Sequence, residues 1–196
     1  AWPVDYAALE PFYTEAEGML AVAGAAGEDP TEPPRGAPYP HPPARLAEAS
    51  RRIADAARSL GMHPFRIPLA IAESACQACI TCDAFACAVS AKNDLATRVL
   101  PGLLADGMEI RPDSVVVRLV AEGDRITAVE CADRTTGERF TVRAGTVVLA
   151  AGALATPHLL LASGLERINP AGRAVGRYLM RHCNAMTYGI FPRRPN

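Results

Sequence analysis

The sequence predicts an α/β fold with some α+β character, and three observations carry it. Residues 147–150 form an unbroken apolar run, Val-Val-Leu-Ala, followed by very small residues and a helical pattern; a strand covered on both faces feeds a helix in this way. Residues 110–150 read as short strands separated by turn residues. Residues 1–27 and 45–60 place apolar side chains at spacings of three and four, as amphipathic helices do.

Composition narrows the partners. With 196 residues and 49% hydrophobic content, the chain suits one globular body or one and a half domains, which argues against disorder. Its formal net charge of -1 supplies no general field for nucleic acid or an anionic membrane. No apolar run approaches the roughly 20 residues of a membrane span. A small molecule is the expected partner. The opening Ala1-Trp2-Pro3 shows no initiator Met and no signal-like region, so the natural start is expected upstream; export stays open, with a cytoplasmic setting slightly favoured.

In the first helical segment Leu9, Phe12, Tyr13, Ala16 and Leu20 form the expected inner face. Pro11 should fall in the first turn or break the helix in two. Residues 28–43 are so rich in proline that an irregular surface loop is expected, ordered or acting as a flexible linker. The second helix, over 45–60, should bury Leu46, Ile53, Ala57 and Leu60 and stop at Gly61. The HPFRIPLAI stretch reads as a short strand or extended segment. His63, followed by Pro64, is expected at the surface or in packing, and not as a ligand.

Strands are expected over 114–120, 126–131, 139–143 and 146–150. Gly123-Asp124 and Thr136-Gly137 supply turns between the first three, which gives an antiparallel meander whose last strand enters a main sheet. At the end of that strand Ala150, Ala151 and Gly152 let a backbone come close to a large anionic cofactor. Thr156 suits a helix N-cap, Pro157 the first helical position, and Gly164 the residue past the end. An ordinary strand-to-helix crossover would look much the same.

The order Gly152-Ala153, Thr156-Pro157, Leu160-Leu161, Ser163-Gly164-Leu165 resembles the second signature of the glucose-methanol-choline (GMC) oxidoreductases. It departs at Glu166, where that family usually has Gly. Trp2-Pro3, Tyr6, Leu9-Glu10-Pro11 and Ala16-Glu17 resemble the part of the family leading into its substrate domain, and the phrase from Ala174 to Asn184 resembles the one that follows the second signature. The resemblance implies FAD and part of a two-dinucleotide-binding-type FAD domain with a β-meander, together with part of a substrate domain. It makes Val116, on the adenine-side strand, and Ala150, Ala151 and Gly152 candidate cofactor contacts; for Val116 an inward core valine is the competing assignment. His182 is expected to be structural or to line a substrate cavity, since the family's catalytic His lies near the end of a much longer chain. The segments implied are 1–70 in the substrate domain, 71–109 Cys-rich and beside the flavin, 110–166 in the FAD domain, and 167–196 starting the next substrate-domain segment.

Cys76, Cys79, Cys82 and Cys87 follow C-x2-C-x2-C-x4-C. Spacings of two suit a shared metal or cluster, but the bacterial ferredoxin run has three residues before its last Cys and a Pro after it. An iron-sulfur cluster, structural zinc, and free or disulfide-paired thiols all stand open. Some family dehydrogenases resemble this with a cluster beside the flavin, which favours iron over zinc if metal is held, passing electrons to an external acceptor. Ala91-Lys92 resembles the family segment beside the flavin.

No two glycines flank a single residue, so the Gly-rich turn that seats a pyrophosphate on a helix N-terminus is absent. The expectation is an internal portion of an FAD-dependent oxidoreductase acting on an alcohol or sugar hydroxyl, with no catalytic residue inside it. The alternative is a non-catalytic metal-binding or electron-relay module built on the cysteines.

Overall fold

The computed structural model describes residues 3–79, 82, 85–183, 185, 188–190 and 192. Trp2 and Asn184 lie outside them. The chain divides into two compact units, Ala1–Glu109 with Gly189–Asn196, and Ile110–Tyr188.

In the first unit, α1 (Tyr6–Met19) is capped by Asp5, whose Oδ1 accepts from the Ala8 N–H at 2.9 Å. Pro11 lies inside it without breaking it. The face that packs differs from the one the apolar pattern predicts. Leu9, Phe12, Tyr13 and Ala16 are exposed, whereas Glu10, Thr14 and Glu17 are half-buried. The reason is electrostatic: the proline-rich loop folds onto the polar face. Gly36 N–H donates to Glu10 Oε1 at 2.6 Å, and Arg35 donates to Glu17 through Nη1 at 3.1 Å and also through Nη2. Arg35 further lies 3.7 Å over the Tyr39 ring, and the Tyr39 hydroxyl donates to Glu32 at 3.0 Å.

This loop is therefore ordered around one guanidinium. Burial and the Glu32 carboxylate push Tyr39 up to about 12, so its support is complete below about 10 and is lost as pH climbs through about 12. The Gly36 N–H, with the Thr14 hydroxyl, holds Glu10 below the usual carboxylate range; that support is complete above the range and is lost as pH falls through the lowered value. In the full-length protein Arg35→Ala should cost about 2 kcal/mol by removing hydrogen bonds to a charged, half-buried partner. Denaturant unfolding reads the loss, and hydrogen exchange should show residues 28–43 opening first. Unchanged protection there would refute the hub role.

Helix α2 (Glu48–Ser59) ends as expected, with Gly61 at φ +76 just past it. Its expected inner face is mostly open: Ile53 is 63% and Leu60 74% exposed, and Ala54 alone is buried. His63 is exposed, its ring nitrogen 3.2 Å from the Glu28 carbonyl. Beyond it the extended segment joins a spine of single bridges. Ala23 pairs with His41 in parallel and with Leu69 antiparallel, and Ile71 pairs with Lys92. Short helices α3 (Leu95–Arg98) and α4 (Leu100–Ala105) follow, α3 opened by a capping box between Asp94 and Thr97.

The second unit is the meander. Strands β1 (Ser114–Glu122), β2 (Arg125–Asp133) and β3 (Arg139–Arg143) form one antiparallel sheet in that order. Gly123 at φ +66 and Asp124 form the two-residue hairpin loop. Asp133 Oδ1 accepts from the N–H groups of Thr135 and Thr136 at 2.8 and 2.7 Å, which shapes the second turn. Helix α5 (Gly152–Ala162) packs on β1.

Buried apolar side chains are Ala21, Ala23, Ala54 and Ala91 in the first unit and Leu119, Ala128 and Cys131 in the second. Thirty large apolar side chains among the described residues are exposed. A chain of this length ordinarily buries a core of large side chains, whereas the buried set here is mostly alanine. No helix among the described residues is long and apolar enough to cross a membrane.

Candidate functional site

Residues 146–150 follow the meander without assigned secondary structure and pair with no strand among the described residues. The expected fourth strand is not formed, because a parallel strand needs a neighbour and no described segment supplies one. Its sequence still behaves as a strand. Val147 and Leu149 are half-buried while Val148 is 82% exposed, the two-residue alternation of extended backbone.

The turn after it is built by three residues. Ala150, Ala151 and Gly152 are all exposed, and Gly152 has φ +81, where an L side chain is strained. A Cβ placed on Gly152 would meet nothing within 4 Å, so the glycine answers a backbone requirement beside open space. Helix α5 begins here, earlier than the expected N-cap at Thr156, and Pro157 lies inside it. The Thr156 side chain turns back instead, its Oγ1 accepting the Ala151 N–H at 3.1 Å, and so fixes the shape of the turn. At the other end Gly164 has φ +70 directly after the C-cap Ser163, as expected.

Ser163 does more than end a helix. Its Oγ accepts the Leu119 N–H at 2.9 Å and donates to the Leu159 carbonyl at 2.7 Å. Helix α5 is thereby pinned to β1, where Leu119 is 2% exposed. Neither Ser163 nor Thr156 was legible in this role, although Ser-Gly at a helix end is a visible signal.

Val116 pairs with Cys131, and the register shifts between Val116 and Arg118, so a bulge follows it. At 40% exposure it is not an inward core valine. It lies on β1, an edge strand of the three-stranded sheet. Ten arginines against seven acidic residues over 110–188 give this unit a positive balance that suits an anionic ligand.

Among the described residues the four cysteines are not gathered into a group placed to hold a metal ion. Cys76 and Cys87 are half-buried, Cys79 and Cys82 exposed. Among the described residues no group of three or more His, Cys, Asp or Glu is placed to hold a metal ion. Two sulfurs are turned into their own loops. Cys76 Sγ accepts the Ala78 N–H at 3.4 Å, and Cys87 Sγ the Ala91 N–H at 3.2 Å. The backbone N–H of Lys92, then those of Val89, Ala91 and Ser90, hold the Cys87 thiol below its usual range. Lys92 Nζ donates to the Cys82 carbonyl at 2.9 Å, which ties the Cys-rich loop to the spine. His182 is exposed and lies outside any helix or strand.

The family model described as GMC oxidoreductase matches residues 43–184. The chain is 29% identical to 2-methyl-1,2-propanediol dehydrogenase of Mycolicibacterium austroafricanum, over 92% of this chain and 34% of that protein. It is 35% identical to 6'''-hydroxyparomomycin C oxidase of Streptomyces lividus, over 83% of this chain and 31% of that protein. It is 28% identical to the gluconate 2-dehydrogenase flavoprotein of Pantoea cypripedii, over 85% and 31% respectively. The chain spans about a third of the length of these curated relatives.

Proposed function

Because the chain belongs to the GMC oxidoreductase family, we propose that it forms the middle of an FAD-dependent enzyme oxidising an alcohol or sugar hydroxyl. The observation that carries this is the turn at 150–152, where small, exposed residues and a glycine at φ +81 leave open space at the end of a strand-like segment. The relatives support it: each is named for oxidation of a hydroxyl-bearing compound, and one as a flavoprotein.

The open cradle at Gly152 fits a large flat cofactor brought against backbone. Ala150, Ala151 and Gly152 would flank it, with Val116 on β1 as a further contact. When bound, FAD supplies a hydride acceptor for a CH–OH donor. The residues of this chain shape the cradle: Thr156 holds the Ala151 N–H and Ser163 anchors α5, and in a longer protein the exposed apolar side chains of Val148 and Leu154 would be covered. The two-dinucleotide-binding layout and the place of this chain inside a larger FAD domain belong to the same proposal.

Purified full-length protein should be yellow, and its flavin should bleach when an alcohol or sugar donor is added without oxygen. The 196-residue chain, lacking a Gly-rich pyrophosphate turn, should bind FAD weakly or not at all. Micromolar or tighter binding by that chain would overturn the part-of-a-domain reading.

A further inference from the structure

Helix α5 starts at the turn proposed to meet the cofactor and packs on β1. Its 11 residues make a rod of about 16 Å at the usual helical rise. Val116, the further proposed contact, lies on β1 ahead of Leu119. Gly152 and Val116 thus stand at the two ends of one path, which runs along α5, crosses the bond between Ser163 and Leu119 and returns along β1.

The joint in that path is a hydroxyl used twice. Ser163 Oγ accepts the Leu119 N–H at 2.9 Å and donates to the Leu159 carbonyl at 2.7 Å, so its single proton is committed and its orientation set. Among the described residues β1 pairs with β2 alone, and Ser163 supplies the acceptor that the open edge lacks at Leu119. Leu119 is 2% exposed, which leaves water little access to that N–H. A buried donor without an acceptor costs free energy. The stretch from Arg118 to Val120 also lies between two shifts of register, one after Val116 and one before Ala121. Strands bend at such irregularities, so the tie at Leu119 governs where the Val116 end of β1 lies.

We propose that Ser163 is a positioning residue for the cofactor, setting the separation of the Gly152 turn and Val116 before binding. The proposal rests on the flavin reading and adds to it the residue that joins its two parts. Ser163 acts through α5 and β1. Without its hydroxyl, α5 keeps its helical bonds and β1 keeps its pairing with β2, but binding must then order one element against the other, which weakens it.

Full-length protein would be stripped of flavin and titrated with FAD at a temperature well below its unfolding transition. Ser163→Ala should weaken FAD about tenfold. Ser163→Thr, which keeps the hydroxyl, should bind FAD as the parent does. Exchange of the Leu119 N–H in the flavin-free protein should speed up in the Ala variant and not in the Thr variant. Arg35→Ala, which removes the hub of the proline-rich loop, is the control for general destabilisation and should leave FAD affinity unchanged. If Ser163→Ala does not fold, Ser163→Cys, of similar shape but a weaker acceptor, replaces it in the same comparison. Parental affinity in the Ala or Cys variant, a Thr variant as weak as Ala, or an equal loss in Arg35→Ala would each overturn the proposal. Unaltered protein that takes up no FAD would overturn the flavin reading beneath it, so the two failures are told apart.

Discussion

Full-length protein carrying Gly152→Val is expected to purify with most of its flavin missing. Two effects act together. At φ +81 an L residue is strained by about 1–2 kcal/mol, and a β-branched one by more. The added isopropyl group also enters the open space that the cofactor would occupy. Gly152→Ala separates them, because it carries most of the backbone strain with little of the volume. Flavin absorbance per protein should therefore fall in the order Gly, Ala, Val, with far-ultraviolet spectra nearly unchanged. Full occupancy in the Val variant would remove the turn from the cofactor site.

An equally large effect is expected at Val148. It is 82% exposed in a segment whose burial alternates, and in the larger FAD domain proposed above a neighbouring element would cover it. Val148→Asp in the full-length protein should lose about 3 kcal/mol or more, the scale of burying an unpaired charge. Thermal unfolding and soluble yield would read it. A Val148→Asp protein as stable as its parent would show that this side chain stays in water throughout. Val148→Thr, which keeps the β-branched shape, should cost much less.

The meander was legible because each strand states its own period and each turn its own chemistry. Gly123 and Gly137 sit at positive φ where the turns require it, and β3 runs over the residues expected of it. The helix stops at Gly61 and Gly164 were readable for the same reason. What could not be read depends on partners distant in sequence. Leu9, Phe12 and Tyr13 repeat as an inner face should, yet Arg35, eighteen residues beyond Glu17, draws the proline-rich loop to the opposite face. The run at 147–150 has the composition of a covered strand, but its cover is not among the described residues. Cysteine spacing suggested a shared ligand, whereas the sulfurs of Cys76 and Cys87 are satisfied by nearby N–H groups.

The alanine interior of the first unit reverses the usual pattern of mutational sensitivity. Ala21, Ala23 and Ala91 are 7%, 2% and 1% exposed, and Ala23 is where three backbone segments meet. Truncation, the change that harms most interiors, has almost nothing to remove at such positions. Enlargement does the harm: even Ala23→Val forces methyl groups between hydrogen-bonded backbones, at about 1–3 kcal/mol. Selection on this unit therefore acts as an upper limit on side-chain size, and a library that tolerates Gly or Ser at these sites should exclude Val, Leu and Ile.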